Sequence, residues 1–404
     1  MSDSKKKIAI IGGGASGMTA AITASRGNAI ATVFELNSVP GKKICATGNG
    51  KCNFTNDCLD VTRYRGGNTE FAKIAVSRFG VSETLKFFEE IGITPKKKGE
   101  YVYPNSEEAK SVQKALMLTM ENLGVETVFE KVTEIKRTEK GFIVNGRVFD
   151  KVIIACGSPA GLKKDSGFNG YDLVKSLGHR VTPVFPALVQ LRFTDKHSKT
   201  LSGVRHEGLI TLFSDGKEMA SDYGELLFTD YGISGIPTMQ ISRFAGECLE
   251  KKREVKISID LFKDLSEKEL EAELKKRMSL NRTAEDCLTG LLNHKLNYVL
   301  LLKLNIDPEA PASKALKKGS AEKLASLMKH LEFHITGTNP FESAQVAAGG
   351  ADLSEIDPET MQSKKVPGLY FAGEITDVDG PCGGYNLQWA WTSGYIAGDS
   401  AEKG

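Results

Sequence analysis

Four apolar residues run straight into glycine at Ile8-Ala9-Ile10-Ile11-Gly12-Gly13-Gly14-Ala15-Ser16-Gly17, and no other stretch restricts the fold as strongly. An apolar run ending in G-x-G-x-x-G predicts a buried parallel strand that turns at once into a helix. Each glycine has its own task. Gly12 permits the tight turn, Gly14 lets phosphates approach bare backbone, and Gly17 lets the helix opening at Ala15 and Ser16 lie close on its strand. The backbone N–H groups at the positive end of that helix then face an anion. A second strand, Ala31-Thr32-Val33-Phe34, ends at Glu35, eighteen positions after Gly17. A carboxylate there is placed to accept from both hydroxyls of an adenosine ribose, and it would repel a 2′-phosphate. Strand, turn, helix and acid together predict dinucleotide binding.

The 404 residues leave room for two or three domains. A formal net charge of +2 excludes global attraction to nucleic acid or an anionic membrane. The basic runs Lys5-Lys6-Lys7, Lys96-Lys97-Lys98 and Lys251-Lys252-Arg253 lack interleaved aromatics and read as solvated surface. No nucleic-acid partner and no membrane are expected. Lysines before an apolar run imitate a secretion signal, but the run stops at Ile11, so a cytoplasmic location is expected. Seven cysteines, an odd number scattered from Cys45 to Cys382, predict reduced thiols.

After Glu35, Gly41 to Asn56 is rich in Gly, Asn and Thr and reads as a loop. Within it, Lys43, Thr47, Gly48 and Asn53 fall where the far half of a long cofactor would run. Helices are predicted over Glu70 to Phe79, Ser82 to Ile91 with Ser82 as N-cap, and Ser106 to Leu123 closed by Gly124. Strands follow at Val125 to Glu130, Thr133 to Thr138 and Phe142 to Val144, and Asn145-Gly146 signals a hairpin. Val132 is placed beside the cofactor. So are Ala155 and Gly157, at the end of the continuous apolar strand from Lys151. A helix from Gly170 to Leu177 returns along the sheet.

Between Pro186 and Leu261 short alternating stretches predict an antiparallel barrel-like insert. Ser266-Glu267-Lys268-Glu269 is a capping box that opens helices running to about Leu331. The last strand, Val366 to Phe371, ends at Gly373 and Glu374, and Gly383-Gly384 precedes a helix running toward Gly398. The expected fold is α/β: a Rossmann-type FAD-binding domain (residues 1–187 and 348–404), interrupted by a β-barrel-like insert (188–263 and 332–347) that carries a helical subdomain (264–331).

One Rossmann unit serves NAD or FAD alike, but the returning tail favours FAD. Glu374 or Asp379 would hold ribityl hydroxyls or phosphate-bound water. Backbone N–H groups around Gly384, Asn386, Leu387 and Gln388 would face the flavin edge where negative charge gathers on reduction. At these residues, and at Thr47 to Asn56, Gly224 to Gly235 and Ala347 to Gly350, the chain resembles the flavoproteins of the BaiN-like, aminoacetone-oxidase-like family of NAD(P)/FAD-dependent oxidoreductases. The resemblance spans nearly the whole chain and implies FAD in a Rossmann-type domain with a barrel insert and helices. Lys51 and Cys382 stand where the family more usually has Arg and Thr.

A flavin carries hydride at N5, so the protein need only bind, orient and exclude water. His330 and His334 lack the H-E-x-x-H context of a metal pair, and Cys52 reads as a packing thiol. Asn53 and Tyr385 are the candidates for the substrate face, and no catalytic acid or base is assigned. No second G-x-G-x-x-G marks a nicotinamide domain, which leaves the electron donor open, with NAD(P)H as one candidate for a transient donor. A small-molecule substrate is expected, and the resemblance implies an amine oxidised by oxygen or an enone, such as a bile-acid intermediate, reduced by NAD(P)H. The alternatives are a flavin-bearing RNA-modifying protein and a non-catalytic flavin-dependent sensor.

Overall fold

Residues Lys7–Ile11 form strand β1, and Ile8 to Ile11 are almost wholly buried because parallel neighbours stand on both sides. The computed structural model describes residues 5–162 and 169–404, so the middle of the glycine-rich stretch from Gly157 to Gly170 lies outside the described residues. The sheet has five strands in the order Leu369–Phe371, Lys151–Ile154, β1, β2 (Ile30–Phe34) and Glu126–Val128. Every neighbouring pair is parallel, with Ile10 opposite Val33 on one side and Ile153 on the other. Burial on both faces explains why Val152, Ile153 and Ile154 form an unbroken apolar run. Helix α1 (Ala15–Arg26) and the terminal helix Tyr385–Lys403 complete this layer.

The chain divides into two units, Met1–Val184 with Val346–Gly404, and Phe185–Gln345. The first is therefore assembled from both ends of the sequence. In it, Asn145 and Gly146 both adopt positive φ (45° and 83°), as a two-residue hairpin turn between Val144 and Arg147 requires. Gly124 (φ 70°) stops the helix Ala109–Asn122. Several boundaries differ from expectation. The helix at 81–90 is capped at Gly80, whose N–H donates to the Glu83 side chain (2.9 Å), and Ser82 lies inside its first turn. The next helix starts at Ala109 instead of Ser106. The loop at 41–56 contains a 3₁₀ segment, Ile44–Gly50, and a two-residue strand, Thr55–Asn56.

The second unit is a closed antiparallel barrel of six strands: Leu191–Phe193, Gly232–Ser234, Lys217–Phe228, Arg205–Ser214, Val255–Asp260 and Leu331–Thr338. Closure removes the exposed edges that short strands would otherwise leave. The capping box holds, with Ser266 N donating to Glu269 at 2.8 Å at the start of the helix Glu267–Met278. Leu270 and Leu274 of that helix, Leu296 and Leu300 of His294–Lys303, and Leu324 of Ser320–Lys329 share one core with barrel residues such as Ile257 and Phe333. Among the described residues no helix is long and apolar enough to cross a membrane.

Candidate functional site

The glycine motif behaves as its spacing requires. Gly12 has φ 107°, and a Cβ there would lie 2.5 Å from the Ala155 carbonyl oxygen. A Cβ on Gly17 would lie 1.8 Å from the Gly12 carbonyl oxygen, so only glycine allows α1 to start against its own strand. Beside Gly14 the space is open, with nothing within 4 Å of a Cβ position. The first intrahelical bond runs from Met18 N to Gly14 O (2.9 Å), which leaves the N–H groups of Ala15, Ser16 and Gly17 without helical acceptors. Open space at Gly14 beside three such N–H groups has the form that a pyrophosphate would need.

Glu35 is buried at the end of β2, and its carboxylate is already engaged. Oε2 accepts from Gly13 N (2.8 Å), and Oε1 accepts from Asn37 N (2.6 Å) and Asn37 Nδ2 (2.7 Å). A carboxylate has about four acceptor positions, so one remains, on Oε2. The expectation that Glu35 accepts from both ribose hydroxyls is corrected to one in this arrangement.

The tail reaches this head directly. Gly373 (φ 76°) stands so close to α1 that a Cβ would meet Ser16 Oγ at 2.4 Å, and its N–H donates to Ser393 Oγ (2.8 Å). Glu374, expected to hold ribityl hydroxyls or phosphate-bound water, has three of its about four acceptor positions taken within the protein, leaving one on Oε2. It pairs with Lys43 (2.6 Å) and accepts from Ser158 Oγ (2.8 Å) and Ala347 N (2.9 Å). It is a strut that joins the loop of Lys43 to the end of the tail strand. Asp379 is 2 % exposed on the short strand Val378–Asp379, opposite Arg65.

At the terminal helix Gly384 (φ 95°) is forced by contact, since a Cβ would lie 2.5 Å from Thr55 backbone. The first helical bond is Gln388 N to Gly384 O (2.9 Å), so the free helix start comprises Tyr385, Asn386 and Leu387, and Gln388 is removed from the expected N–H set. The Gln388 side chain is fully buried; Oε1 accepts from Thr55 Oγ1 (2.6 Å) and Nε2 donates to Thr84 Oγ1 (2.8 Å) and Thr392 Oγ1 (3.0 Å). Asn386 clamps the preceding loop through Gly380 N and O (2.9 and 2.8 Å). Tyr385 is 1 % exposed, with its ring against Tyr64 and its hydroxyl accepting from Asp60 N (3.1 Å). It supports the loop and does not form the substrate face expected of it.

The remaining predicted residues fall around the same unit. Thr47 Oγ1 donates to Ile44 O (2.7 Å), Gly48 (φ 56°) packs on Asn53 N, and Asn53 Oδ1 accepts from Val102 N (3.2 Å). Ala155 N donates to Ile11 O (2.9 Å), Gly157 (φ 67°) has open space at its Cβ position, and Val132 is a core residue. Two features were missed. The Tyr171 hydroxyl is buried with no hydrogen-bond partner among the described residues, and burial, then Glu374, push its pKa well above the ordinary value. No local pattern announced it. The terminal helix also packs on α1 through Gly394 and Gly398, where a Cβ would lie 2.4 Å from Ser16 O and from Ala20 O respectively. The G-x-x-x-G spacing was visible, but Gly398 lies inside the helix instead of near its end.

An open glycine cradle, two free helix starts and an orphaned buried hydroxyl beside Glu374 fit a long dinucleotide such as FAD. Among the described residues no group of His, Cys, Asp and Glu could hold a metal ion. Cys52 is fully buried, and burial pushes its thiol up to about 12. It is thus neutral at ordinary pH, and the native state should lose stability as pH rises from about 9 toward 12, where an unfolded thiol ionises first. Native protein at pH 8 should leave Cys52 unlabelled by a maleimide while exposed Cys58 reacts; peptide mapping reads this, and labelling of Cys52 without denaturant would contradict the burial.

Residues 6–400 match the HI0933-like protein Rossmann domain family. The chain is 40% identical over 406 residues to 3-dehydro-bile acid delta(4,6)-reductase of Clostridium scindens, covering 98% of this chain and 99% of the relative. It is 31% identical to ribosomal RNA dihydrouridine synthase of Haemophilus influenzae, covering 98% of each. Among solved structures, 3-ketosteroid delta1-dehydrogenase of Sterolibacterium denitrificans superposes with a TM-score of 0.50 at 10% identity, over 99% of this chain and 100% of that one, a likeness of fold.

Proposed function

From the premise that this chain belongs to the HI0933-like Rossmann family and is an FAD-dependent oxidoreductase, we propose that it reduces a carbon–carbon double bond conjugated with a carbonyl in a small, flat ring substrate of steroid-like shape. The observation that carries this reading is the end-to-end identity with a relative named for a 3-dehydro, delta(4,6) substrate, a ketone in conjugation with ring double bonds. Dihydrouridine synthesis, in the second relative, is also the saturation of a ring double bond beside a carbonyl. Bound FAD would supply hydride at its N5, with reduced nicotinamide as the electron source.

The chain's own residues have definable tasks. The N–H groups of Ala15, Ser16 and Gly17 would hold the pyrophosphate, and the last acceptor position of Glu35 would take one ribose hydroxyl. The N–H groups of Tyr385, Asn386 and Leu387 form a positive helix end that would favour negative charge on the isoalloxazine of a bound flavin. Lys43 and Ser158, both bonded to Glu374, fix the loop of Lys43 against the end of the tail strand.

Anaerobic mixing tests the proposal. NADH or NADPH should bleach the yellow protein, and a cyclic dienone should then restore the colour while its own conjugated absorbance disappears. Reoxidation by oxygen alone after an amine has bleached the flavin would favour the amine-oxidase branch instead, and a flavin that no donor reduces would favour a sensor. A second reading, reduction of uracil in ribosomal RNA, is favoured by the 31% relative and predicts dihydrouridine in an RNA fragment after turnover.

A further inference from the structure

We propose that a basic hairpin beside the terminal helix recognises an anionic tail on the substrate, a carboxylate or a phosphate attached to the ring that is reduced; this rests on the reductase reading above. The strands Pro95–Lys98 and Tyr101–Pro104 pair antiparallel, with Lys96 opposite Tyr103 and Lys98 opposite Tyr101. Directly opposed residues share a face, so two lysines and two tyrosines stand together while Val102, fully buried, turns the other way. The Lys98 ammonium lies 6.0 Å from the centre of the Tyr103 ring.

Three ammonium groups converge on one carboxylate. Lys96 and Lys98 each reach Glu107 at 2.7 Å, and Lys51 reaches it at 3.3 Å. The lysines hold the Glu107 carboxyl down at about 2, so it is ionised at every working pH, yet one negative charge balances only one of the three positive charges. Glu107 adopts φ 54°, a left-handed conformation unfavourable for a side chain. An edge strand that needed only to discourage pairing would let its lysines spread apart in water. Gathering them on a single strained acid concentrates positive charge at one point.

That point adjoins the predicted flavin end. Tyr101 packs on Gly383, where a Cβ would come 3.0 Å from its ring. Asn56, paired with Tyr101 in the sheet, donates from Nδ2 to Gly383 O at 3.1 Å. Gly383 immediately precedes Gly384, the cap of the terminal helix. Tyr101 is 45% exposed, a flat amphipathic side chain on which a ring can lie while the lysines take its charge.

The test uses the flavin-loaded protein and the double variant Lys96→Gln/Lys98→Gln, both side chains being partly exposed. Binding is read as the perturbation of flavin absorbance by two probe pairs: a 3-oxo-delta4 steroid with a side-chain carboxylate and its methyl ester, and uridine monophosphate and uridine. Wild type should prefer the charged member of one pair, with a preference that falls as salt is raised. The double variant should lose about tenfold in affinity for that member, as two exposed ion pairs vanish together, and keep its affinity for the neutral one. The responding pair identifies carboxylate or phosphate as the source. Equal changes for charged and neutral members, or no preference in wild type, would overturn the proposal. Turnover of the neutral members judges the reductase reading separately, because the binding contrast does not require reduction.

Discussion

Glu35→Arg is expected to purify colourless. The native carboxylate accepts three hydrogen bonds at 2.6 to 2.8 Å and is 6 % exposed, so it organises the turn between β2 and the glycine motif besides the ribose contact proposed for it. A guanidinium accepts nothing, leaving the buried Gly13 N–H unpaired at about 1–3 kcal/mol, turning the half-buried Asn37 donors to water and adding a buried cation. Visible absorbance after purification, and reconstitution with added FAD, measure the outcome. Glu35→Gln keeps the shape and one acceptor oxygen, and should retain part of the flavin. An arginine variant with full flavin would reject the role of Glu35.

Gly394→Ala and Gly398→Ala should each destabilise the first unit by about 1–3 kcal/mol, and together release the flavin. Each added methyl meets backbone, Ser16 O or Ala20 O, at 2.4 Å, and backbone cannot swing aside as a flexible side chain would. Because Ser16 belongs to the first turn of α1, pushing the helices apart also displaces N–H groups assigned to the pyrophosphate. Denaturant midpoint and flavin fluorescence on heating read the two effects. Gly337→Ala, with open space at its Cβ position, should stay within about 0.5 kcal/mol of wild type. A Gly394→Ala protein as stable as that control would show that α1 and the terminal helix separate without cost.

The glycine motif was legible in the sequence because one of its requirements is local, Gly17 meeting the Gly12 carbonyl five positions back, while the contact that closes the space at Gly12 comes from the remote Ala155. The parallel strands were legible because double-sided burial leaves an unbroken apolar run. Tyr385 was misread, and the side-chain roles of Gln388 and Glu374 went unseen, because their partners are remote, whereas the Gln388 N–H is taken by Gly384 O only four positions back. Thr55, Thr84, Asp60, Lys43 and Ser158 reach them only after folding, and a polar side chain at a helix start looks the same whether it faces a ligand or a buried threonine. Ser82 lost the cap to Gly80 because Glu83 reaches back to the glycine N–H, a choice that residue preference at a single position does not reveal. Lys96-Lys97-Lys98 read as plain surface for want of aromatics, yet strand pairing sets Tyr103 and Tyr101 beside them.

The strand Leu369–Phe371 completes the parallel sheet beside Lys151–Ile154, with the entire barrel unit intervening in the sequence. During translation the barrel leaves the ribosome while the nucleotide sheet still has an open flank at Lys151–Ile154. Pairing across so long a separation is slow and exposes unpaired backbone meanwhile. Coenzyme capture must therefore be a late event in biosynthesis, and ribosome-bound chains stalled before Leu369 should bind no flavin however long they wait.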